Sequence, residues 1–233
     1  MESAQHRSAR TITRRRLLAT SLLPLLSPAL FAEPSAKTPP PFVVLVHGFW
    51  DTGEVFAPLE KALTARGIET LAPTLEPRDG RKGLEDLAKK LSQQIDDKAG
   101  PNRKIHLVGF SMGSLVSRYY IQRLGGKHRT LHFFSISGPH HGTRTAPLYP
   151  AESTRQMAPG SPFLKDLNDD WNTKLPVPTT SFWTSADLLI IPPKSSILPE
   201  ANNQEIDCLL HPLMVRNKVV IKTIIDTIIP PSP

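Results

Sequence analysis

The chain has 233 residues, of which 39% are hydrophobic and 21% charged, a balance that suits one globular domain with a substantial core. Its first 32 residues hold five arginines and one glutamate, so the formal net charge of +7 falls to +3 without them. The positive charge is therefore a poor argument for nucleic-acid binding. Because Cys208 is the single cysteine, an intramolecular disulfide is excluded.

Residues 1–36 have the pattern of an export signal. Three arginines at 14–16 precede an apolar stretch, 17–32, and small residues suited to cleavage follow. The arginines also resemble the twin-arginine pattern, which would mean export in the folded state. An uncleaved membrane anchor is the less favoured alternative, because the stretch is short and two prolines interrupt it. We expect an exported protein, periplasmic or secreted, whose domain begins at residue 37.

Apolar runs rich in β-branched residues alternate with helical patterns along the rest of the chain. Strands are predicted at 42–46, 68–71, 105–108, 131–136 and 179–183, and helices at 55–66, 84–95, 115–124 and 212–228. This alternation predicts an α/β fold, with a mostly parallel central sheet and helices on both faces. Neither an internal repeat nor a second domain is indicated, so we expect residues 37–233 to form one domain.

The segment 145–178 interrupts the alternation. It is rich in proline, weakly periodic and placed between two predicted strands. Because compact domains seldom contain structureless loops of this length, we expect a small excursion over the sheet edge, with a short helix near 163–167. A lid over a functional site and a plain long connection are both compatible with the pattern.

Residues 109–113 have the sequence G-F-S-M-G, between a predicted strand and a predicted helix. In that setting the pattern G-x-S-x-G forms a nucleophile elbow, a tight turn that exposes the serine hydroxyl. A side chain at Gly109 or Gly113 is expected to collide with the neighbouring strand or helix. Ser111 is therefore the predicted nucleophile.

A serine nucleophile needs a base, and in sheets of this type the chain order is nucleophile, acid, histidine. His211 lies just before the last predicted helix, at the late position that this order requires; packing against that helix is the alternative. Asp187 follows the strand 179–183 and is the favoured acid, since its carboxylate could stabilise the imidazolium of His211. Asp207 is the rival, and the aspartates of the 145–178 segment are weaker candidates.

An oxyanion hole requires two backbone N–H groups directed at the developing negative charge. We expect these from Met112, directly after the nucleophile, and from Phe49, in the loop after the first buried strand. His47 precedes the nucleophile and is expected to order that loop by hydrogen bonding rather than to act as a base. Trp50 is a candidate for binding the acyl chain of a substrate, with a position in the core as the alternative.

The adjacent histidines His140 and His141 raise the question of a metal site. Carboxylate or cysteine ligands at a convincing spacing do not accompany them. A role in the structure of a loop near the site is favoured, and we expect neither a metal nor another cofactor.

Five ordered motifs resemble the α/β-hydrolase family, specifically small bacterial triacylglycerol lipases and related esterases. They are V-L-V-H-G-F at 44–49, G-F-S-M-G at 109–113, P-H-H-G-T at 139–143, the segment 156–164, and D-x-x-I-x-P at 187–192. The resemblance implies the α/β-hydrolase fold, with a modest cap because the chain is small. It also implies a triad of Ser111, Asp187 and His211, with Phe49 and Met112 at the oxyanion hole.

The expected activity is hydrolysis of carboxylic esters through an acyl-serine intermediate, as in a lipase or esterase. An acyltransferase or a thioesterase could use the same residues, since an acyl-enzyme does not dictate its acceptor. A non-catalytic binding protein is disfavoured, because such a protein would normally have lost part of the triad. The expected partner is an ester or lipid substrate, with transient contact at a lipid interface, and we expect a monomer that binds no nucleic acid.

Overall fold

The computed structural model describes residues 42–171 and 177–230, so the predicted export signal at 1–36 lies outside the described residues. The strands are β1 (Phe42–Val46), β2 (Glu69–Leu71), β3 (Ile105–Phe110), β4 (Thr130–Ile136), β5 (Thr179–Trp183) and β6 (Asn202–Glu205). The α-helices are α1 (Ala57–Thr64), α2 (Leu84–Ala99), α3 (Met112–Arg123), α4 (Glu152–Gln156), α5 (Pro162–Trp171) and α6 (Lys218–Ile228). None of these helices is both long enough and apolar enough to span a membrane.

The described strands form one parallel sheet in the order β2-β1-β3-β4-β5-β6. Every side chain of β1 is buried, and successive side chains point to opposite faces. Those at 42, 44 and 46 join a core formed with α2, α3 and α5, whereas those at 43 and 45 join a core formed with α1 and α6. The predicted mostly parallel sheet with helices on both faces is therefore confirmed.

The parallel arrangement determines where a site can form. Because all strands run in one direction, the segments that follow their carboxyl ends meet at the same edge of the sheet. We call this the carboxyl edge. The segments after β1, β3, β5 and β6 carry Phe49, Ser111, Asp187 and His211 to it.

Each of the five predicted strands is present, with ends within two residues of the prediction, but β6 was not predicted. Its residues, N-N-Q-E, include no apolar side chain and are mostly exposed. The strand forms because its backbone pairs with β5, from Thr180 opposite Asn202 to Trp183 opposite Glu205. As an edge strand it pairs on one side only among the described residues. Its sequence therefore lacks the apolar pattern by which a buried strand is recognised.

The prediction of a single helix at 212–228 is wrong in one respect, because the structure divides this range into a 3-10 helix, His211–Arg216, and α6. Asn217 separates them with an extended ψ of 130°, and its side chain accepts hydrogen bonds from the N–H groups of Val219 and Val220. This is the capping arrangement that starts a new helix.

The described part of the 145–178 segment is folded rather than structureless. It contains the 3-10 helix Ala146–Leu148, then α4 and α5, and the predicted short helix near 163–167 lies within α5. Side chains of α4 bind the start of α2 and the connection before it: Ser153 Oγ donates to the carbonyl of Asp79, 2.5 Å away, and Gln156 Oε1 accepts from the N–H of Leu84 at 2.7 Å. The segment is thus attached to the body of the domain along one side.

Candidate functional site

Ser111 lies in the strained turn that the sequence predicts. Its backbone has φ of 52° and ψ of −122°, a conformation with positive φ that side-chain-bearing residues seldom adopt. A Cβ added to Gly109 would lie 2.6 Å from Ser114 Cα, and one added to Gly113 would lie 2.1 Å from the carbonyl oxygen of Val46. Both glycines are therefore required for the close approach of α3 to β3 and β1, as predicted.

Two hydrogen bonds hold the elbow. The N–H of Ser111 donates to the carbonyl of Ile136 at the end of β4, at 2.8 Å. The hydroxyl of Ser114 in the first turn of α3 donates to the carbonyl of Gly109, also at 2.8 Å. The turn is thus fixed to the neighbouring strand on one side and to its own helix on the other, which places Ser111 at the carboxyl edge.

His211 and Asp187 form a buried hydrogen-bonded pair. His211 Nδ1 lies 2.7 Å from Asp187 Oδ2, and both side chains are almost fully buried. The imidazole also packs against the ring of Phe110, the residue before Ser111, with ring centroids 5.0 Å apart. The structure therefore places His211 beside the elbow and in contact with Asp187, whereas the side chain of the rival acid, Asp207, is exposed.

The other carboxylate oxygen of Asp187 is also occupied. Oδ1 accepts hydrogen bonds from the N–H groups of Leu189 and Ile190, both at 2.9 Å. Burial alone would raise the pKa of Asp187, but the hydrogen bond and charge of His211, together with these two N–H groups, outweigh burial and lower it. Asp187 is therefore ionised at neutral pH and suited to holding an imidazolium.

Two threonine hydroxyls tie the loop of Asp187 to the loop after β4. Thr143 Oγ1 donates to the carbonyl of Leu189 at 2.7 Å and accepts from the N–H of Ile191 at 2.9 Å. Thr145 Oγ1 donates to the same carbonyl at 2.6 Å. We call this set of bonds the threonine clasp. The sequence analysis did not assign it, because the partners are backbone groups of a distant loop.

The loop after β1 is ordered by His47. Its Nε2 accepts from the N–H of Leu75 at 2.8 Å, so the ring proton resides on Nδ1, which donates to the carbonyl of Gly48 at 2.8 Å. Burial lowers the pKa of His47, which keeps the ring neutral at pH 7. Both ring nitrogens are occupied in the structure of the loop, in agreement with the predicted ordering role.

That loop packs directly on the elbow. A Cβ added to Gly48 would lie 3.2 Å from Ser111 Cβ, so the backbone before Phe49 passes close to the nucleophile. Phe49 thus lies close to Ser111 in space, and Met112 follows Ser111 directly in the chain, whereas the role of their amides as oxyanion donors stays a prediction.

Trp50 is 47% exposed, so the alternative of a core position is wrong for this side chain. It packs edge to face on Phe49, with centroids 6.1 Å apart, and on Tyr149, at 5.9 Å. Its φ of 63° turns the chain at this point, where its N–H donates to the carbonyl of Arg78 at 3.0 Å. A contact between Trp50 and substrate stays a prediction.

A cavity of about 230 Å³ opens beside Ser111, and we call it the Ser111 cavity. One wall comes from the segment after β4, and another comes from the loop of Asp187. The lining residues are mostly apolar: Phe49, Ser111, Thr143, Thr145, Ala146, Leu148, Tyr149, Thr154, Met157, Leu189 and Ile190. An apolar cavity next to a nucleophile is suited to an acyl chain.

The two adjacent histidines have structural contacts. His140 is fully buried, its Nε2 lies 2.8 Å from Ser135 Oγ, and burial holds its pKa well below the usual range. His141 Nε2 lies 3.1 Å from the carbonyl of Ile197. Among residues 42–171 and 177–230, no group of three or more His, Cys, Asp or Glu side chains is placed to hold a metal ion.

The threonine clasp leads to a first prediction. Thr143→Val keeps the shape of the side chain but leaves the N–H of Ile191 without its acceptor, which should displace the loop of Asp187. We expect kcat/KM for a p-nitrophenyl ester to fall about 10- to 100-fold, the scale of a small misplacement in a site. Thr143→Ser keeps the hydroxyl and should restore most of the rate. Wild-type kcat/KM in a folded Thr143→Val protein would contradict a positioning role.

The lowered pKa of Asp187 predicts a pH-dependent contribution to stability. Because its pKa is lower in the folded state, ionised Asp187 stabilises the fold at pH values above its unfolded pKa, about 3.9. This contribution is lost as the pH falls through the lower pKa of the folded state. The difference in free energy of unfolding between wild type and Asp187→Asn should therefore shrink when urea unfolding is repeated from pH 7 to pH 3. Asp207→Asn, at an exposed position, is the control and should stay within about 0.5 kcal/mol of wild type. A difference that stays constant down to pH 3 would argue against an ionised Asp187 with a lowered pKa.

Residues 42–207 match the family described as palmitoyl protein thioesterase. This range covers more than two thirds of the chain and includes Ser111 and Asp187. A lysosomal thioesterase PPT2 of Mus musculus is 30% identical over 132 residues, which are 54% of this chain and 42% of that protein. The Rattus norvegicus lysosomal thioesterase PPT2 gives the same identity and coverage. The matched region is thus less than half of each of these curated relatives.

Solved lipase structures share the fold. Aspergillus fumigatus lipase B superposes with a TM-score of 0.72 at 18% identity, over 86% of this chain and 56% of that chain. The mature form of Bacillus licheniformis lipase BlEst2 gives 0.67 at 17% identity, over 84% of this chain and 94% of that one. These similarities confirm the predicted α/β-hydrolase fold, whereas the narrower resemblance to triacylglycerol lipases stays a prediction. The chain belongs to the palmitoyl protein thioesterase family.

Proposed function

We propose that the protein hydrolyses acyl thioesters and acyl esters through a covalent acyl intermediate on Ser111, with His211 as the base and Asp187 as its partner. The observation that carries the proposal is the buried bond of 2.7 Å between His211 Nδ1 and Asp187 Oδ2, beside an elbow whose serine lines an apolar cavity. A serine at such a turn is weakly nucleophilic unless a nearby base accepts its proton.

In the acylation step, Ser111 Oγ attacks the carbonyl carbon of the substrate and its proton passes to His211. Because Nδ1 of His211 is bound to Asp187, Nε2 is the nitrogen that accepts the proton. The negative charge that develops on the carbonyl oxygen is stabilised by the N–H groups of Phe49 and Met112. When the tetrahedral intermediate collapses, the bond to the leaving oxygen or sulfur breaks, and His211 returns the proton to the leaving group.

In the deacylation step, a water molecule attacks the acyl-serine while His211 Nε2 takes one of its protons. The bond between the acyl carbon and Ser111 Oγ then breaks, and the proton on His211 returns to the serine. The products are a carboxylic acid and the free enzyme. Throughout the cycle Asp187 stays ionised and stabilises the imidazolium.

The family match favours thioesters, which the sequence analysis considered only as an alternative to esters. The curated relatives are named thioesterases, and the family description names palmitoyl protein substrates. A thiol leaving group has a pKa of about 8.5, far below that of an alcohol, so it depends less on a proton from His211. Activity as a lipase or esterase on carboxylic esters is supported by the same site residues.

Export remains part of the proposal. The pattern at 1–36 supports it, and the curated relatives are named lysosomal proteins, which is compatible with passage through a secretory route. Sequencing of the amino terminus of protein recovered outside the cytoplasm tests it. A mature protein that retains residue 1 would favour the uncleaved anchor.

Removal of the nucleophile tests the role of Ser111. Ser111→Ala should lower kcat for a p-nitrophenyl ester by about 10⁴-fold or more, as expected when a triad member is lost. It should also abolish covalent labelling by a fluorophosphonate, and the circular dichroism spectrum should not change. Ser92→Ala, in the middle of α2, is the control and should keep its label. Full turnover by Ser111→Ala would overturn the proposal, and labelling of another residue would reassign the nucleophile.

If esters and thioesters form the same acyl-Ser111, the division of the acyl group between water and methanol should be identical for both substrates. An octanoyl p-nitrophenyl ester and an octanoyl thioester should give the same ratio of octanoic acid to methyl octanoate in the presence of added methanol, because both products arise from acyl-Ser111. The ratio is measured by chromatography over a range of methanol concentrations. Ratios that differ between the two substrates would exclude a common intermediate. A predominance of methyl octanoate at low methanol would support the acyltransferase alternative.

A further inference from the structure

We propose that the Ser111 cavity selects medium-length acyl chains, near octanoyl, and that Ala146 and Met157 set this limit. The inference rests on the proposed function and adds the acyl class of the substrate. It departs from the palmitoyl group in the family's description, and it rests on the size of the cavity and on the contacts of its walls.

The volume of the cavity gives the first argument. A protein cavity of about 150 Å³ lined by apolar side chains accommodates benzene, which has six carbons. By the same ratio, the 230 Å³ beside Ser111 accommodates about eight or nine carbons. A palmitoyl chain, with roughly twice as many, exceeds that space.

The buried part of the wall closes the cavity on the core side. Ala146 and Met157 are 5% and 6% exposed, and both belong to the core that α2 and α3 form on this face of the sheet. Ile190, 3% exposed, lies in the wall formed by the loop of Asp187. A longer chain cannot extend inward past these residues without displacing packed side chains, which is costly in a dense core.

Backbone contacts fix the same wall. The N–H of Thr143 donates to the carbonyl of Met157 at 2.9 Å, which joins the start of the segment to the end of α4. Gly142 approaches Pro159 so closely that an added Cβ would lie 2.6 Å from its Cα. Thr154, which also lines the cavity, donates to the carbonyl of Tyr149 at 2.5 Å. These contacts fix the position of this wall of the cavity.

The carbons that do not fit would lie over an exposed rim. Leu148 and Leu189, which line the cavity, are 84% and 50% exposed. A chain lying on these leucines keeps one side in water, so each further methylene gains less apolar burial than one inside the cavity. Binding should therefore strengthen with chain length until the cavity is full and change little afterwards.

The test is a chain-length series of p-nitrophenyl esters and matching thioesters, from acetyl to palmitoyl, below the concentration at which they aggregate. We expect kcat/KM to rise by up to about fourfold per methylene until octanoyl, which is the gain for complete burial, and then to level off or fall. A rise that continues unbroken to palmitoyl would overturn the inference. A maximum at acetyl or butanoyl would overturn it as well.

Two substitutions should move the preferred length in opposite directions. Met157→Ala enlarges the cavity and should extend the preferred chain by about two or three carbons, whereas Ala146→Leu fills it and should shorten the chain similarly. Loss of stability alone would lower the rates for all chain lengths together. Leu131→Ala is the control and should leave the profile unchanged, since this exposed leucine lies at the amino end of β4, away from the carboxyl edge.

The outcomes separate the two proposals. Folded wild-type protein that neither hydrolyses any member of the series nor labels at Ser111 would refute the proposed function. Turnover that depends on Ser111, with a profile that Met157→Ala and Ala146→Leu both leave unchanged, would refute the chain-length inference alone. If Met157→Ala does not fold, Ala146→Leu and the wild-type profile still decide the matter.

Discussion

The close approach of α3 to the ends of β1 and β3 is the constraint on which the rest of the site depends. Gly113 lies against the carbonyl of Val46, and Gly109 lies against Ser114, so the helix can start directly after Ser111. The contact forces positive φ on the serine and brings the loop after β1 against it. Since backbone atoms make this contact, no rotation of a side chain can relieve it, and the position of Ser111 is set by the fold itself.

The loops around Ser111 are linked by hydrogen bonds from buried groups rather than by ion pairs on the surface. His47 joins the loop after β1 to the connection before α2, and the threonine clasp joins the loop after β4 to that of Asp187. Asp187 then holds His211 from the segment after β6. The segments after five strands are thus joined in two groups, β1 with β2 and β4 with β5 and β6, and a site of this kind is preorganised before substrate arrives.

The fold and much of the candidate site could be predicted because they depend on local patterns. Buried strands such as 42–46 are continuous apolar runs, and the tight turn of the elbow requires glycine at 109 and 113. The strand β6 left no such signal, because backbone pairing alone holds its polar residues. The threonine clasp was also missed, since Thr143 binds backbone atoms 46 and 48 residues away, and only the folded chain brings these together. Asp187 was favoured over Asp207 because it directly follows a predicted strand, and the structure supplies its contact with His211.

The threonine clasp makes the two walls of the Ser111 cavity unequal as targets for redesign. The wall that contains Leu189 and Ile190 also supplies the two N–H groups that hold Asp187, so any change in its backbone alters the contact of Asp187 with His211 together with the cavity. The wall that contains Met157 is joined to the loop of the acid through its backbone, because the carbonyl of Met157 accepts from the N–H of Thr143, whose hydroxyl binds the loop of Asp187. Changes confined to the side chain of Met157 can therefore alter acyl preference without disturbing proton transfer, whereas changes in the loop of Asp187 affect both at once.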